Sequence, residues 1–152
     1  MEDLRLYLER EQVEAELIDL GVPMTTAQAA ADQLQISVDY IFKSLVLTDP
    51  DGRAIVVVLS GDARLDQKAL ARLLGVKKLK FASAEVVLHE TGYPAGGTPP
   101  FGHRKKLPVY VDEKVMTYAF GYGGGGRPEL VVKIRPQELV RITDATVAFL
   151  SL

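Results

Sequence analysis

The chain has no cysteine, only two histidines, and no apolar run approaching the roughly 20 residues that a bilayer crossing needs. Without cysteine there are no disulfides and no thiolate chemistry, and two histidines make a poor basis for a dedicated zinc site. Neither a metal nor a cofactor is therefore expected. The opening "MEDLRLYLER" is charged throughout and does not read as a secretion signal. An excess of positive charge is also missing: the formal net charge is -2 and the pI is near 5.7. That excludes a general nucleic-acid coat and confines any contact with nucleic acid to one face. These absences lead us to expect a soluble cytoplasmic protein with neither a membrane nor DNA as partner. With no linker, repeat or low-complexity tract, its 152 residues suit one domain, 1–152, able to bury its own core.

Turn residues divide the remaining sequence into elements. "MEDLRLYLEREQV" carries leucines and a tyrosine at helical spacing, and "AELIDL" alternates as a strand does. Thr25, with Gln28 three residues on, predicts a capping box that opens a helix through "AQAAADQL". "IFKSLVLTD" and "AIVVVLS" read as two strands joined into a hairpin by "PDG". Asp66 and Ser83 are expected to cap short helices that end at Gly75 and Gly92. Beyond these, "LPVYVDE", "VMTYAF", "ELVVKI" and "TVAFLSL" are strand-like, and Pro136 suits the first turn of a short helix. The class is α/β or α+β with a mixed sheet.

Two features ask for more than packing. In an extended "IFKSLVL", Lys43 shares a face with Ile41, Leu45 and Leu47, while Phe42, Ser44 and Val46 take the other. Either the lysine sits near the strand's end and extends into water, or an anion or pocket receives its ammonium. The second feature is "GYPAGGTPPFGHRKK". Gly96, Gly97, Thr98, Pro99 and Pro100 combine permissive and locked backbone, which suits either a tight surface connection or a wall of main-chain groups against a ligand.

"IFKSLVL", "GYPAGGTPPFG" and "GYGGGGRPELVVKIRPQEL" stand in the order and at about the spacing of the YbaK and prolyl-tRNA-synthetase-associated editing-domain family. The chain resembles that family from about Ala15 to Phe149. The resemblance implies a mixed, barrel-like sheet flanked by helices and a hydrolase that cleaves the ester of mischarged aminoacyl-tRNA. With no synthetase sequence flanking it, the chain is expected to act as a freestanding trans-editing deacylase. By the same resemblance, Lys43 falls on the family's lysine, thought to hold the terminal adenosine or its phosphate, and Gly96 to Pro100 on its GxxxP loop, which positions the ester. The family is thought to use no protein nucleophile, the ribose hydroxyl of the terminal adenosine helping to activate water. Hydrolysis would place charge on the ester oxygen, and each preorganised amide aimed at it is worth roughly 10² to 10³ in rate. Amides near Gly97 and Gly102 are the candidate donors.

On this reading the catalytic set is Lys43, Gly96, Gly97, Thr98 and Pro100, and the substrate-binding set is Ser44, Tyr93, Gly102, Gly123 and Gly124. Tyr93 is open to a packing role, and Gly123 to Gly126 to being a mere turn; "GGGGRP" lacks the ending of a P-loop. His103, Arg104, Lys105 and Lys106 suit a phosphate-contacting rim for the tRNA acceptor end, or a solvated charge run. Lys77, Lys78 and Lys80 read as a solvated face, and His89 as structural. The chain departs from the family in having Pro99 where many members have serine, Ser44 where alanine-specific members have asparagine, and no histidine in the late glycine segment. The expected substrate is a small amino acid such as alanine, serine or cysteine, with tRNA-Pro among the carriers and an aminoacyl-tRNA synthetase as a candidate partner. The alternative is a non-catalytic module of the same fold that binds tRNA, a nucleotide or a synthetase.

Overall fold

A computed structural model describes residues 3–152, so the first two residues of the predicted N-terminal helix lie outside the described part. That helix, α1, spans Leu4–Arg10 behind an Asp3 cap, shorter than its periodicity suggested. Strand β1 (Ala15–Asp19) follows, then α2 (Ala27–Leu34). The α2 cap is Thr26, whose hydroxyl accepts from the Ala29 amide; Thr25 is not the cap, and Gln28 instead donates to Asp32 at 2.8 Å. Alternation from Phe42 onward produces the expected hairpin of β2 (Phe42–Thr48) and β3 (Ala54–Ser60). Asp66 and Ser83 cap α3 (Gln67–Leu74) and α4 (Ala84–Thr91), which close at Gly75 and Gly92. Between these helices the two-residue strand β4 (Lys80–Phe81) pairs with β2, a pairing that the basic run had hidden.

Beyond the glycine loop come β5 (Val109–Asp112), β6 (Gly121–Gly124), β7 (Leu130–Ile134), α5 (Pro136–Thr143) and β8 (Thr146–Ala148). The predicted "VMTYAF" strand is not formed. Residues 113–117 make a 3-10 turn, and the strand starts where the glycines do. The reason is steric: a Cβ at Gly121 would stand 2.1 Å from the Phe42 ring, so only glycine lets this segment lie against β2.

The strands form two sheets, β4-β2-β3-β5-β8 and β1-β7-β6, and an isolated parallel bridge from Ile41 to Tyr122 links them. The larger sheet is mixed, antiparallel at β2–β3 and parallel at β3–β5 and β5–β8. One face of its hairpin (Phe42, Val46, Val56, Val58) enters the main core with Val132 and Ile134 of the smaller sheet. The other face (Leu47, Ile55, Val57, Leu59) packs on Leu70 and Ala71 of α3. The fold is thus the expected mixed α/β arrangement, and its two sheets meet at the start of β2.

Candidate functional site

A cavity of about 240 Å³ opens at that junction. Lys43 and Ser44 of β2, the loop residues Gly96, Gly97 and Thr98, and Gly123 and Gly124 of β6 all line it. The opposite wall comes from Thr26, Ala27 and Ala30 at the start of α2, with Tyr122 and Val131. No motif marked that wall in the sequence; the nearest signal was Tyr122 inside the glycine run.

The loop and the glycine run explain each other. A Cβ at Gly97 would lie 2.7 Å from the Arg127 backbone, and one at Gly124 would lie 2.3 Å from the Thr98 carbonyl oxygen. With no side chains between them, the two segments dock main chain to main chain, and the Gly126 amide donates to the Gly97 carbonyl at 2.8 Å. Gly123 to Gly126 are therefore more than a turn. Thr98 is 6% exposed and donates its hydroxyl to the Pro94 carbonyl at 2.9 Å, bracing the loop from within. Pro100 stands behind the cavity, its Cδ 3.0 Å from where a Gly123 Cβ would be.

Lys43 lies opposite Leu59 in the hairpin register, near the start of β2 and on the face that packs on α3. It is half-buried, and its Nζ donates to the Ala63 carbonyl at 2.5 Å. Burial pulls its pKa below the ordinary lysine value; the nearby Asp62 charge opposes that shift and Arg64 reinforces it. Among the described residues the ammonium is thus neither fully solvated nor ion-paired, and its one bond there leaves it further donors for a ligand. Ser44 Oγ is closed off from solvent, with no hydrogen-bond partner among the described residues.

Several expected site residues lie elsewhere. Tyr93 is fully buried in the main core, so it packs instead of lining the pocket. Gly102 lies against Tyr7 and, with His103, Lys105 and Lys106, lines a separate hollow beside α1 and Arg141. His103 turns its Nε2 to the Pro99 carbonyl at 2.8 Å, and burial lowers its pKa. It props the loop from behind. Arg104 donates its amide to the Thr91 carbonyl and its guanidinium to the His89 carbonyl, and Lys105 pairs with Glu90. The predicted rim therefore serves largely to fasten the C-terminal end of α4, with Lys106 exposed beside it. A larger hollow, about 890 Å³ between α4 and the β2–β3 turn, is lined by Lys78, Lys80 and Arg104 but also by Asp49, Glu85 and Glu90, and neither Lys43 nor the Gly96–Pro100 loop lines it. Among the described residues no helix is long and apolar enough to cross a membrane.

Known proteins resemble this chain in sequence and fold. The Enterococcus faecalis protein named as a Cys-tRNA(Pro)/Cys-tRNA(Cys) deacylase, EbsC, is 29% identical over 123 residues, covering 81% of this chain and 75% of its own. A proline--tRNA ligase of Desulfotalea psychrophila is 30% identical over 128 residues, 82% of this chain but only 22% of that enzyme. A crystal structure described as a trans-editing enzyme for prolyl tRNA synthetase superposes with a TM-score of 0.88 at 34% identity, covering 98% of this chain and 96% of the other. The aminoacyl-tRNA editing domain matches residues 22–142. The motifs, the fold and that match agree: the chain belongs to the aminoacyl-tRNA editing domain family.

Proposed function

We propose that this protein hydrolyses the ester of a mischarged tRNA bearing a small amino acid, with the acceptor end of the tRNA entering the cavity at Lys43. The observation that carries the reading is the convergence of Lys43, the Gly96–Thr98 loop and Gly123–Gly124 on one small cavity in a chain of the editing-domain family. A half-buried ammonium with a lowered pKa regains its ordinary stability as a charge when a phosphate or ribose oxygen reaches it, so the site favours an anionic ligand.

The chemistry asks little of side chains. Water adds to the ester carbonyl, the carbon–oxygen bond to the ribose breaks, and the ribose oxygen leaves with a proton. The adjacent ribose hydroxyl helps to activate that water. The developing oxyanion needs amide donors, and here the earlier expectation changes. The Gly97 amide is already bonded to the Pro94 carbonyl at 2.9 Å, and Gly102 faces the hollow beside α1. Among the described residues the flanking amides of Gly96 and Thr98 make no such backbone bond, which leaves them as the donors. Ser44 lines the cavity, and a turn of its side chain would bring the unpartnered Oγ to the substrate's ammonium or to a small polar side chain. EbsC bears the name of a Cys-tRNA(Pro)/Cys-tRNA(Cys) deacylase; cysteine, serine and alanine are the substrates this cavity suits, with tRNA-Pro as carrier.

A panel of tRNAs charged with alanine, serine, cysteine, leucine and phenylalanine tests the reading. Release of the small residues by the wild type and not by Lys43→Ala is the expected result. Tight binding of the same tRNAs without turnover would instead leave a non-catalytic binding module of the same fold.

A further inference from the structure

Lys43 is held by a carbonyl, and what holds that carbonyl is a network the family motifs do not include. The turn after β3 runs Ser60, Gly61, Asp62, Ala63. Both Asp62 carboxylate oxygens accept from Lys114 Nζ, each at 2.9 Å, and Oδ1 also accepts the Ser60 hydroxyl at 2.7 Å. Lys114 belongs to the 3-10 turn between β5 and β6, so the pair ties two connections that are far apart in sequence. On the other side a Cβ at Gly61 would stand 2.4 Å from the Val38 carbonyl oxygen, so the turn is wedged there without a side chain. The Ala63 amide returns to the Ser60 carbonyl at 3.0 Å, and its own carbonyl points to Lys43 Nζ.

The pair itself is exposed, with the Lys114 and Asp62 side chains 39% and 42% accessible. Ion pairs so exposed contribute little to folding. A two-oxygen clamp at that position thus fits a geometric role better than a stabilising one. We propose that Asp62 and Lys114 are positioning residues that hold the Lys43 ammonium at the cavity through the Ala63 carbonyl. The proposal rests on the reading of Lys43 as the substrate-binding cation. Charge supports it: the charged groups acting on Lys43 are Asp62, which favours the ammonium, and Arg64, which opposes it, while Lys114 partly neutralises Asp62.

The test is an NMR titration of the Lys43 Nζ in lysine-labelled protein, assigned by its loss in Lys43→Arg, for wild type, Asp62→Asn, Asp62→Glu and Lys114→Met. Melting temperatures and kcat/KM on mischarged tRNA accompany it. Asp62→Asn is expected to move the Lys43 titration to lower pH and to lower kcat/KM roughly tenfold or more, since small misplacements of a binding group cost rate on that scale. Lys114→Met should lower kcat/KM without moving the titration downward, because the Asp62 carboxylate remains. Asp62→Glu should restore the titration and most of the rate, with all melting temperatures within a few degrees of wild type. An unchanged Lys43 titration in Asp62→Asn, or rate losses that follow losses of melting temperature, overturns the proposal. Shifts as expected in a protein that releases no amino acid from any tRNA support the positioning role and overturn only the deacylase reading.

Discussion

Lys43 and Ser44 occupy neighbouring positions and present opposite problems to the fold. Lys43 keeps a charge where burial disfavours it, so truncation is expected to leave stability unchanged or raised. The sign can be checked against pH. A lysine whose folded pKa lies below 10.5 binds its proton more weakly in the folded chain. Stability therefore rises with pH between the folded value and 10.5, and Lys43→Ala should remove that rise. Melts across this alkaline range, beside deacylation rates that fall at least a hundredfold, are the measurement; near wild-type turnover would sink the assignment. Ser44 Oγ is buried without a partner among the described residues, so Ser44→Ala should be neutral or stabilising by up to about 1 kcal/mol while changing the preference among alanine, serine and cysteine esters. Both residues were legible in the sequence, Lys43 because a charge breaks an apolar strand face. The bonding that gives each its character was not.

At the scale of elements, the loop and β6 form one main-chain contact, and glycines divide by whether they sit in it. Gly124→Ala forces a Cβ to 2.3 Å from a carbonyl oxygen, whereas a Cβ at Gly96 meets nothing within 4 Å. The first should cost about 1–3 kcal/mol and most activity; the second should cost little stability and act only by narrowing the cavity. Denaturant unfolding of the two variants separates these outcomes. Helix α5 gives an independent check. Glu138, 5% exposed, accepts from Arg141 Nε at 2.6 Å and from the Glu14 amide at 2.8 Å, and these bonds, Arg141 first, hold its pKa down to about 2. A depressed carboxylate stabilises the fold above its unfolded value of 4.5, and that contribution is lost as pH falls toward 2. Glu138→Gln should cost about 1–3 kcal/mol at neutral pH, and its melting curve should converge on wild type across that acid range.

At the scale of the molecule, the cavity lies where the two sheets are bridged at the start of β2, and its 240 Å³ set what can enter. Small pockets discriminate at roughly 1–3 kcal/mol per methylene, so they exclude bulky residues and tolerate several small ones. Rates on tRNAs carrying a graded series of side chains should fall steeply beyond cysteine; equal rates for leucine would show that the cavity does not select. Exhaustive chelation should leave activity intact, given two histidines and no cysteine. Loss restored specifically by zinc or manganese would overturn that expectation.

The sequence alone determined the hairpin, the Asp66 and Ser83 caps with their terminal glycines, the mixed α/β class and the three motifs of the family. Each of these depends on a residue's relation to its near neighbours: alternation, a cap three residues from its amide, a glycine at a helix end. It misplaced the α2 cap by one residue and read residues 115–120 as a strand, because Thr25 and Thr26 are equally good caps and an apolar run does not reveal that the next segment must lie flat on Phe42. Only the tertiary structure decided that the basic run would fasten α4, that Tyr93 would be core, and that the Gly97 amide would be spent on Pro94. It also decided that Lys43 would lean on a carbonyl held by Asp62 and Lys114. Those facts concern groups brought together by sheet pairing and loop closure, and local pattern carries no information about which distant backbone will arrive within hydrogen-bond reach.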